Sequence, residues 1–211
     1  MTIRVAIVDD HAMMRAGYRG MLAAERDIEV IAEGESGEDA LRIVREQQPA
    51  VLILDVSMPG LSGIEVTHRL TRSDSPTRIV IVTMLSEGPV PALLLEAGAH
   101  AFLTKGSNGA ELIEAVRSVA RGLRYVSHAI AQRLALARVM NESSPLDRLT
   151  TRELEIAIML GRGERPNEIA PRLNISDKTV HTYKMRLMEK LDLRSDSELT
   201  LLLVRYGLLS G

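Results

Sequence analysis

Four short stretches carry charged or polar groups to places where chemistry could occur. "VAIVDD" (5–10) ends in Asp9-Asp10, "VLILD" (51–55) in Asp55, "IVIVT" (79–83) in Thr83 and "FLTK" (102–105) in Lys105. Each opens as an apolar β-type run. A carboxylate at the end of a buried strand is unfavourable unless it is paired or holds a cation. Three carboxylates, a hydroxyl and an ammonium at such matching places suit a hard divalent ion beside a phosphoryl group. Mg2+ takes octahedral oxygen ligands, commonly one or two carboxylates with waters and a phosphate. A lone aspartate before a helix is more simply an N-cap. Asp9, Asp10 and Asp55 together with Lys105 favour the metal–phosphate site.

A second chemical signal lies in "SDKTVHTYKMRLMEKL" (176–191). On a helical wheel Val180, Leu187 and Leu191 form one apolar stripe. Lys178, Thr182 and Met185 fall away from it, with His181 at the edge of that face and Arg186 flanking it. Lys184 lies nearer the core stripe and needs its long stem to bring the charge out. Basic and small polar groups on one face suit the major groove of DNA. On this helix alone, a solvated face of an ordinary bundle explains them equally well.

The elements that must position these groups follow from periodicity. Strand candidates are Ile3–Val8, Glu29–Ala32, Val51–Leu54, Ile79–Val82 and Ala101–Leu103. Between them lie helical patterns at about Ala12–Ala24, Gly37–Gln48, Gly63–Thr71, Pro91–Ala97 and Gly109–Arg121. Ser36 offers an N-cap and Pro49 a stop. Five alternating strands and helices specify an α/β domain with a parallel sheet covered on both faces. Its ligand site belongs beyond the carboxyl ends of the strands. Residues 127–140 read as a further helix with Ser127 as its cap, and "NESSP" (141–145) as an inter-domain linker. From Leu149 onward the chain reads as helical. Thr150 with Glu153 makes a capping box, and a short helix, tight connection and helix after Ser176 form a helix-turn-helix. The division is 1–125, a helical linker 126–147, and 148–211.

Composition narrows the classes. The 211 residues include no cysteine, which excludes disulfides, thiolate metal sites and cysteine nucleophiles. No apolar run approaches the roughly 18 residues of a membrane span. The N-terminus has no signal-peptide layout, so a cytoplasmic protein without a membrane partner is expected. Residues 1–125 carry a net charge of −4 and residues 126–211 one of +2, an asymmetry that suggests different partners for the two parts.

"VAIVDDH", "VLILDVSMPGLSG", "IVIVT" and "AFLTKG" together resemble the receiver domain of two-component response regulators. The resemblance implies that Asp55 accepts a phosphoryl group from the phosphohistidine of a sensor kinase. It implies that Asp10 ligates Mg2+ directly and Asp9 largely through water, with Asp55 and the Ser57 carbonyl completing the protein ligands. Lys105 and Thr83 would contact the phosphoryl oxygens, and Phe102 would turn inward when Thr83 moves. Where the family commonly has proline after the lysine, Gly106 stands here. The usual cis peptide is therefore not implied, and a more mobile loop is expected. Pro89 and Pro91 are expected to shorten the fourth helix.

"LTTRELEI…EIAPRLNISDKTVHTYKMRLMEKL" resembles the LuxR/NarL-type DNA-binding domain. That resemblance places His181, Thr182 and Met185 at base edges and Lys178, Thr179 and Lys184 at phosphates. It makes Leu199, Leu202 and Leu203 the dimer contacts of a last helix at about Asp196–Tyr206. Pro171 departs from the pattern inside the first helix of the motif, where it removes a backbone donor. Over both domains the chain is similar to NarL/FixJ-type response regulators. "RYVSHAIAQRLAL", "SSPLDRLT" and the glycine after the lysine most resemble the GacA/UvrY branch. The branch implies a BarA/GacS-type hybrid kinase as partner and activation of small regulatory RNA genes by a dimer on promoter DNA.

Other readings carry less. An aspartyl phosphatase of the haloacid dehalogenase kind needs a second aspartate two residues after the nucleophile, and Ser57 stands there. A ligand-gated regulator needs an aromatic pocket, and residues 1–125 hold only Tyr18, Phe102 and Tyr125. A domain that binds its partner without phosphorylation would lack some of the site residues, and all are present. His11 is expected to be a loop residue near a kinase interface rather than a ligand. His68, His100 and His128 share no spacing with carboxylates. Met13, Met14, Met21 and Leu22 suit core or kinase docking equally.

Overall fold

A computed structural model of the protein describes residues 2–58, 60–84, 90–140, 144–173, 175–206 and 208–209, with the backbone alone over 137–140. The chain divides into two compact units, one built on a sheet and one helical.

The first unit contains strands β1 (Ile3–Val8), β2 (Ile28–Gly34), β3 (Val51–Leu54), β4 (Arg78–Thr83), β5 (Ala101–Thr104) and β6 (Tyr125–Val126). All pair in parallel, in the order β2-β1-β3-β4-β5-β6. The expected count of five is therefore one short. β6 has two residues, too few to show a period, and it joins the edge of β5 through Ala101–Tyr125 and Phe102–Val126. Val126, expected to open the linker, closes the sheet instead.

Helices α1 (Ala12–Ala23), α2 (Gly37–Gln47), α3 (Gly63–Arg72), α4 (Val90–Glu96), α5 (Gly109–Ala120) and α6 (His128–Met140) follow the strands. Local chemistry sets their starts. Ser36, Ser62 and Asn108 each accept a backbone N–H two or three residues into the helix, as N-caps do. Ser127 does not cap α6: its hydroxyl is buried without a hydrogen-bond partner. Pro91 lies in the first turn of α4, where a missing N–H is harmless, while Pro89 lies outside the described residues. Val5, Ile7, Ile53, Val80, Val82 and Leu103 alternate onto one face of the sheet and pack with Leu22, Leu112 and Val116. Leu22 is thus core and Met14 packs against it, whereas Met13 and Met21 are exposed.

The second unit holds a 3-10 turn (Pro145–Arg148) and helices α7 (Thr151–Gly161), α8 (Pro166–Leu173), α9 (Asp177–Leu191) and α10 (Asp196–Arg205). The Thr150–Glu153 capping box forms as the sequence suggests, and Ser176 and Ser195 cap α9 and α10. α9 packs on α7 and α8, and α10 packs on α7. Gly161 permits that last approach, since a Cβ there would meet Leu203. Pro171 does not break α8, which runs through it. The carbonyl left without its helical donor belongs to Asn167, an exposed residue that water can serve.

Candidate functional site

The strand order reverses between β1 and β3, the switch point where open parallel sheets bind ligands. Asp9 and Asp55 follow those two strands directly, and the Asp55 N–H donates to the Val8 carbonyl at 2.9 Å. Gly63 brings the start of α3 against this strand end, because any Cβ there would collide with the Asp55 carbonyl. Asp55 Oδ1 accepts the N–H groups of Val56 at 2.6 Å and Ser57 at 3.3 Å.

From β5, Lys105 reaches across the strand ends. Its Nζ donates to Asp55 Oδ2 at 2.7 Å and to Asp9 Oδ1 at 3.0 Å, and lies 2.9 Å from Asp9 Oδ2. All three side chains are buried. Burial works against the ammonium more than any other single factor. The hydrogen bonds and charges of Asp55 and Asp9 together outweigh it, so the Lys105 pKa is raised. The Lys105 N–H donates to the Thr83 carbonyl at 3.0 Å, tying the two strand ends. Thr83 and Phe102 are fully buried, so Phe102 already stands inward. Among the described residues no peptide bond is cis, in keeping with glycine at position 106.

Asp10, at the surface end of the pair, completes a group of ligand atoms from Asp9, Asp10, His11 and Asp55 that lie within 4.8 Å of one another. The donor set fits a divalent cation: the carboxylates converge, and Asp9 Oδ2 is buried without a hydrogen bond, its approach to Lys105 being an ion pair of poor angle. Two members of this site were not expected. His11 Nδ1 lies 2.7 Å from Asp10 Oδ1 and 3.3 Å from Asp9 Oδ1. Arg15 Nη1 donates to the Asp9 carbonyl at 2.6 Å. Adjacency to the aspartates was the only signal for His11. Arg15, one helical turn further on, gave none.

In the second unit Lys178, His181, Thr182 and Arg186 are exposed on α9, with Met185 74% exposed. Thr179 and Lys184 are half-buried. Lys184 Nζ donates to Asp196 Oδ2 at 2.7 Å, so this cation is engaged within the unit. The expected dimer residues need correction: Leu199 and Leu203 are fully buried in the core of the unit. They share the inward stripe of α10, leaving Leu202 half-buried and Leu201 69% exposed as its outward apolar groups.

A buried acidic strand-end site beside a helix-turn-helix unit defines a regulator that couples a phosphoryl-type site to DNA. Residues 5–117 match the response regulator receiver domain, and residues 147–203 match the bacterial regulatory proteins of the luxR family. The chain is 42% identical to the response regulator GacA of Pseudomonas aeruginosa, covering 99% of each chain. It is 41% identical to the response regulator UvrY of Escherichia coli K12, over 98% of this chain and 95% of that one. The structure of RcsB from Salmonella enterica serovar Typhimurium bound to a promoter shares the fold, with a TM-score of 0.79 at 24% identity over 97% of this chain and 100% of that one. The chain belongs to the LuxR-type two-component response regulators, which regulate transcription and are not enzymes. Receiver domains of this family bind Mg2+ at such an acidic pocket. Among the described residues no helix is long and apolar enough to cross a membrane.

Proposed function

We propose that Asp55 is the phosphoacceptor and that its phosphorylation controls promoter binding by a dimer. The observation that carries this reading is the bridge from Lys105 to Asp55 and Asp9, buried at the switch point of the sheet. An Asp55 carboxylate oxygen attacks the phosphorus of a phosphohistidine; the P–O bond forms as the P–N bond breaks, and the imidazole leaves. Such transfer is mainly positioning and charge neutralisation. The main-chain donors of Val56 and Ser57 fix the carboxylate, and Lys105 is placed to leave Asp9 for a phosphoryl oxygen. Mg2+, held by Asp10, Asp9, Asp55 and the Ser57 carbonyl, supplies further neutralisation of the phosphoryl charge when bound.

Thr83, next to Lys105, contacts the acquired phosphoryl group, and with Phe102 passes its presence to the α4–β5–α5 face. The receiver is assigned to 1–125, with Val126 as its last sheet residue, the helical linker to 126–147 and the DNA-binding domain to 148–211. Lys178, Thr179 and Lys184 meet phosphates, and His181, Thr182 and Met185 meet base edges. Dimers form through α10 with Leu202, and with Leu201 in place of Leu199 and Leu203. The likeness to GacA and UvrY supports a BarA/GacS-type hybrid kinase as phosphodonor, small regulatory RNA genes as targets, and a cytoplasmic setting.

The test is a gel shift with a promoter fragment bearing an inverted repeat, using wild type and Asp55→Asn, each with Mg2+ and with or without acetyl phosphate. Only wild type should gain affinity with the donor. Equal binding by both proteins in all conditions would remove Asp55 as the switch.

A further inference from the structure

We propose that His11 is a metal ligand, its Nδ1 joining the aspartates so that the site takes first-row transition ions such as Mn2+ and Ni2+ as well as Mg2+. This rests on the reading of the acidic cluster as the cation site of the receiver. His11 Nδ1 lies within 2.7 Å of Asp10 Oδ1 and 3.3 Å of Asp9 Oδ1, and all four ligand atoms lie within 4.8 Å. Ligands placed trans across an ion with bonds of about 2.1 Å stand about 4.2 Å apart. A contraction of roughly half an ångström therefore brings the imidazole and the carboxylates onto one centre. Asp9 Oδ2 is buried, aimed into the same space and without a hydrogen bond.

The ring is held where it is by the chain. The His11 N–H donates to Asp9 Oδ1 at 2.9 Å, and its carbonyl accepts from Met14 at 3.0 Å and Arg15 at 3.1 Å as α1 begins. The side chain gives no cap to that helix, so the fold makes no use of the imidazole. It is 63% exposed, which opens the site to solvent ions on that side. Lys105 Nζ lies 3.4 Å from the same Nδ1, so one cation already stands among His11, Asp9 and Asp55. Oxygen donors suit Mg2+ and Mn2+, whereas an imidazole adds preference toward Ni2+ and its neighbours. A competing role for His11 is a charged partner of Asp10 alone, with no bond to metal.

The experiment uses the full chain. Calorimetric titrations with Mg2+ and with Ni2+ are made on wild type, His11→Ala, His11→Gln and Asp10→Asn, and electron spin-echo spectra are taken with Mn2+ bound. Wild type should show nitrogen modulation on Mn2+ that both His11 variants lack. Ni2+ affinity should fall about tenfold or more in those variants, the scale at which losses around a metal site are usually felt, and Mg2+ affinity should fall much less. Mn2+ bound without nitrogen modulation, or equal losses for Mg2+ and Ni2+, would overturn the role of His11 and leave the cation site standing. Mg2+ binding that survives Asp10→Asn unchanged would instead remove the cation site itself, and this inference with it.

Discussion

Two buried carboxylates share a single ammonium in the receiver site, and that imbalance sets the consequences of each replacement. Lys105→Met leaves Asp9 and Asp55 without their counter-charge, and breaking a buried pair in this way costs about 3–5 kcal/mol. Asp55→Asn removes one of two like charges and keeps the pair to Asp9, so its stability should equal or exceed that of wild type. The double variant should be more stable than Lys105→Met alone. Urea unfolding of the three variants measures this, and a Lys105→Met protein as stable as wild type would show that the lysine does not hold the carboxylates. The pH dependence follows from the raised pKa. The contribution of Lys105 is fully present below its unfolded value of about 10.4 and is lost as pH rises through the higher folded value. The gap between wild type and Lys105→Met should therefore narrow only in strong alkali.

At the scale of elements, the second unit depends on how α7 begins. Glu153 closes the capping box with Thr150 and accepts Lys190 Nζ at 2.6 Å from α9, so one carboxylate joins a helix start to the neighbouring helix. Burial opposes its charge most strongly, yet Lys190 and the Thr150 donors prevail and the pKa is lowered. A depressed carboxylate contributes above its unfolded pKa of about 4.3, and the contribution is lost as pH falls through the lower folded value. Thr150→Ala should cost about 1 kcal/mol at pH 7, and Glu153→Gln a comparable or larger amount. The Glu153→Gln deficit should shrink in acid, read from thermal melts between pH 7 and 3. A deficit independent of pH would mean that packing rather than charge holds this junction. The box was legible in the sequence because its residues lie three apart, and so were the acidic strand ends, since an uninterrupted apolar run stops at each. β6 was not legible, because two residues carry no period. Nor was the inward turn of Leu199 and Leu203, because every leucine on α10 looks alike until α7 approaches at Gly161. His11 adjoins the aspartates in sequence, but only the start of α1 turns its ring toward them.

At the scale of the molecule, the acidic sheet unit and the basic helical unit divide labour by charge, and DNA affinity should report the second. Affinity for duplex DNA falls with salt in proportion to the phosphates neutralised. Lys178 is exposed at the start of α9 and carries its charge outward. Lys178→Ala should weaken binding uniformly across sequences and reduce the salt slope by about 1 for each phosphate contact removed. Lys184 has a different cost structure: its ammonium must leave Asp196, 2.7 Å away, before it can serve a phosphate. Lys184→Ala should therefore lose less affinity than Lys178→Ala, and Asp196→Asn, which frees the lysine, should bind more tightly than wild type. Met185→Ala should instead alter preference among base sequences while leaving the slope unchanged, since a thioether neutralises no phosphate. Titrations of the phosphorylated protein at several salt concentrations separate these outcomes. Equal slopes for all four proteins would place the phosphate contacts elsewhere on the helical unit and strip α9 of the role given to it.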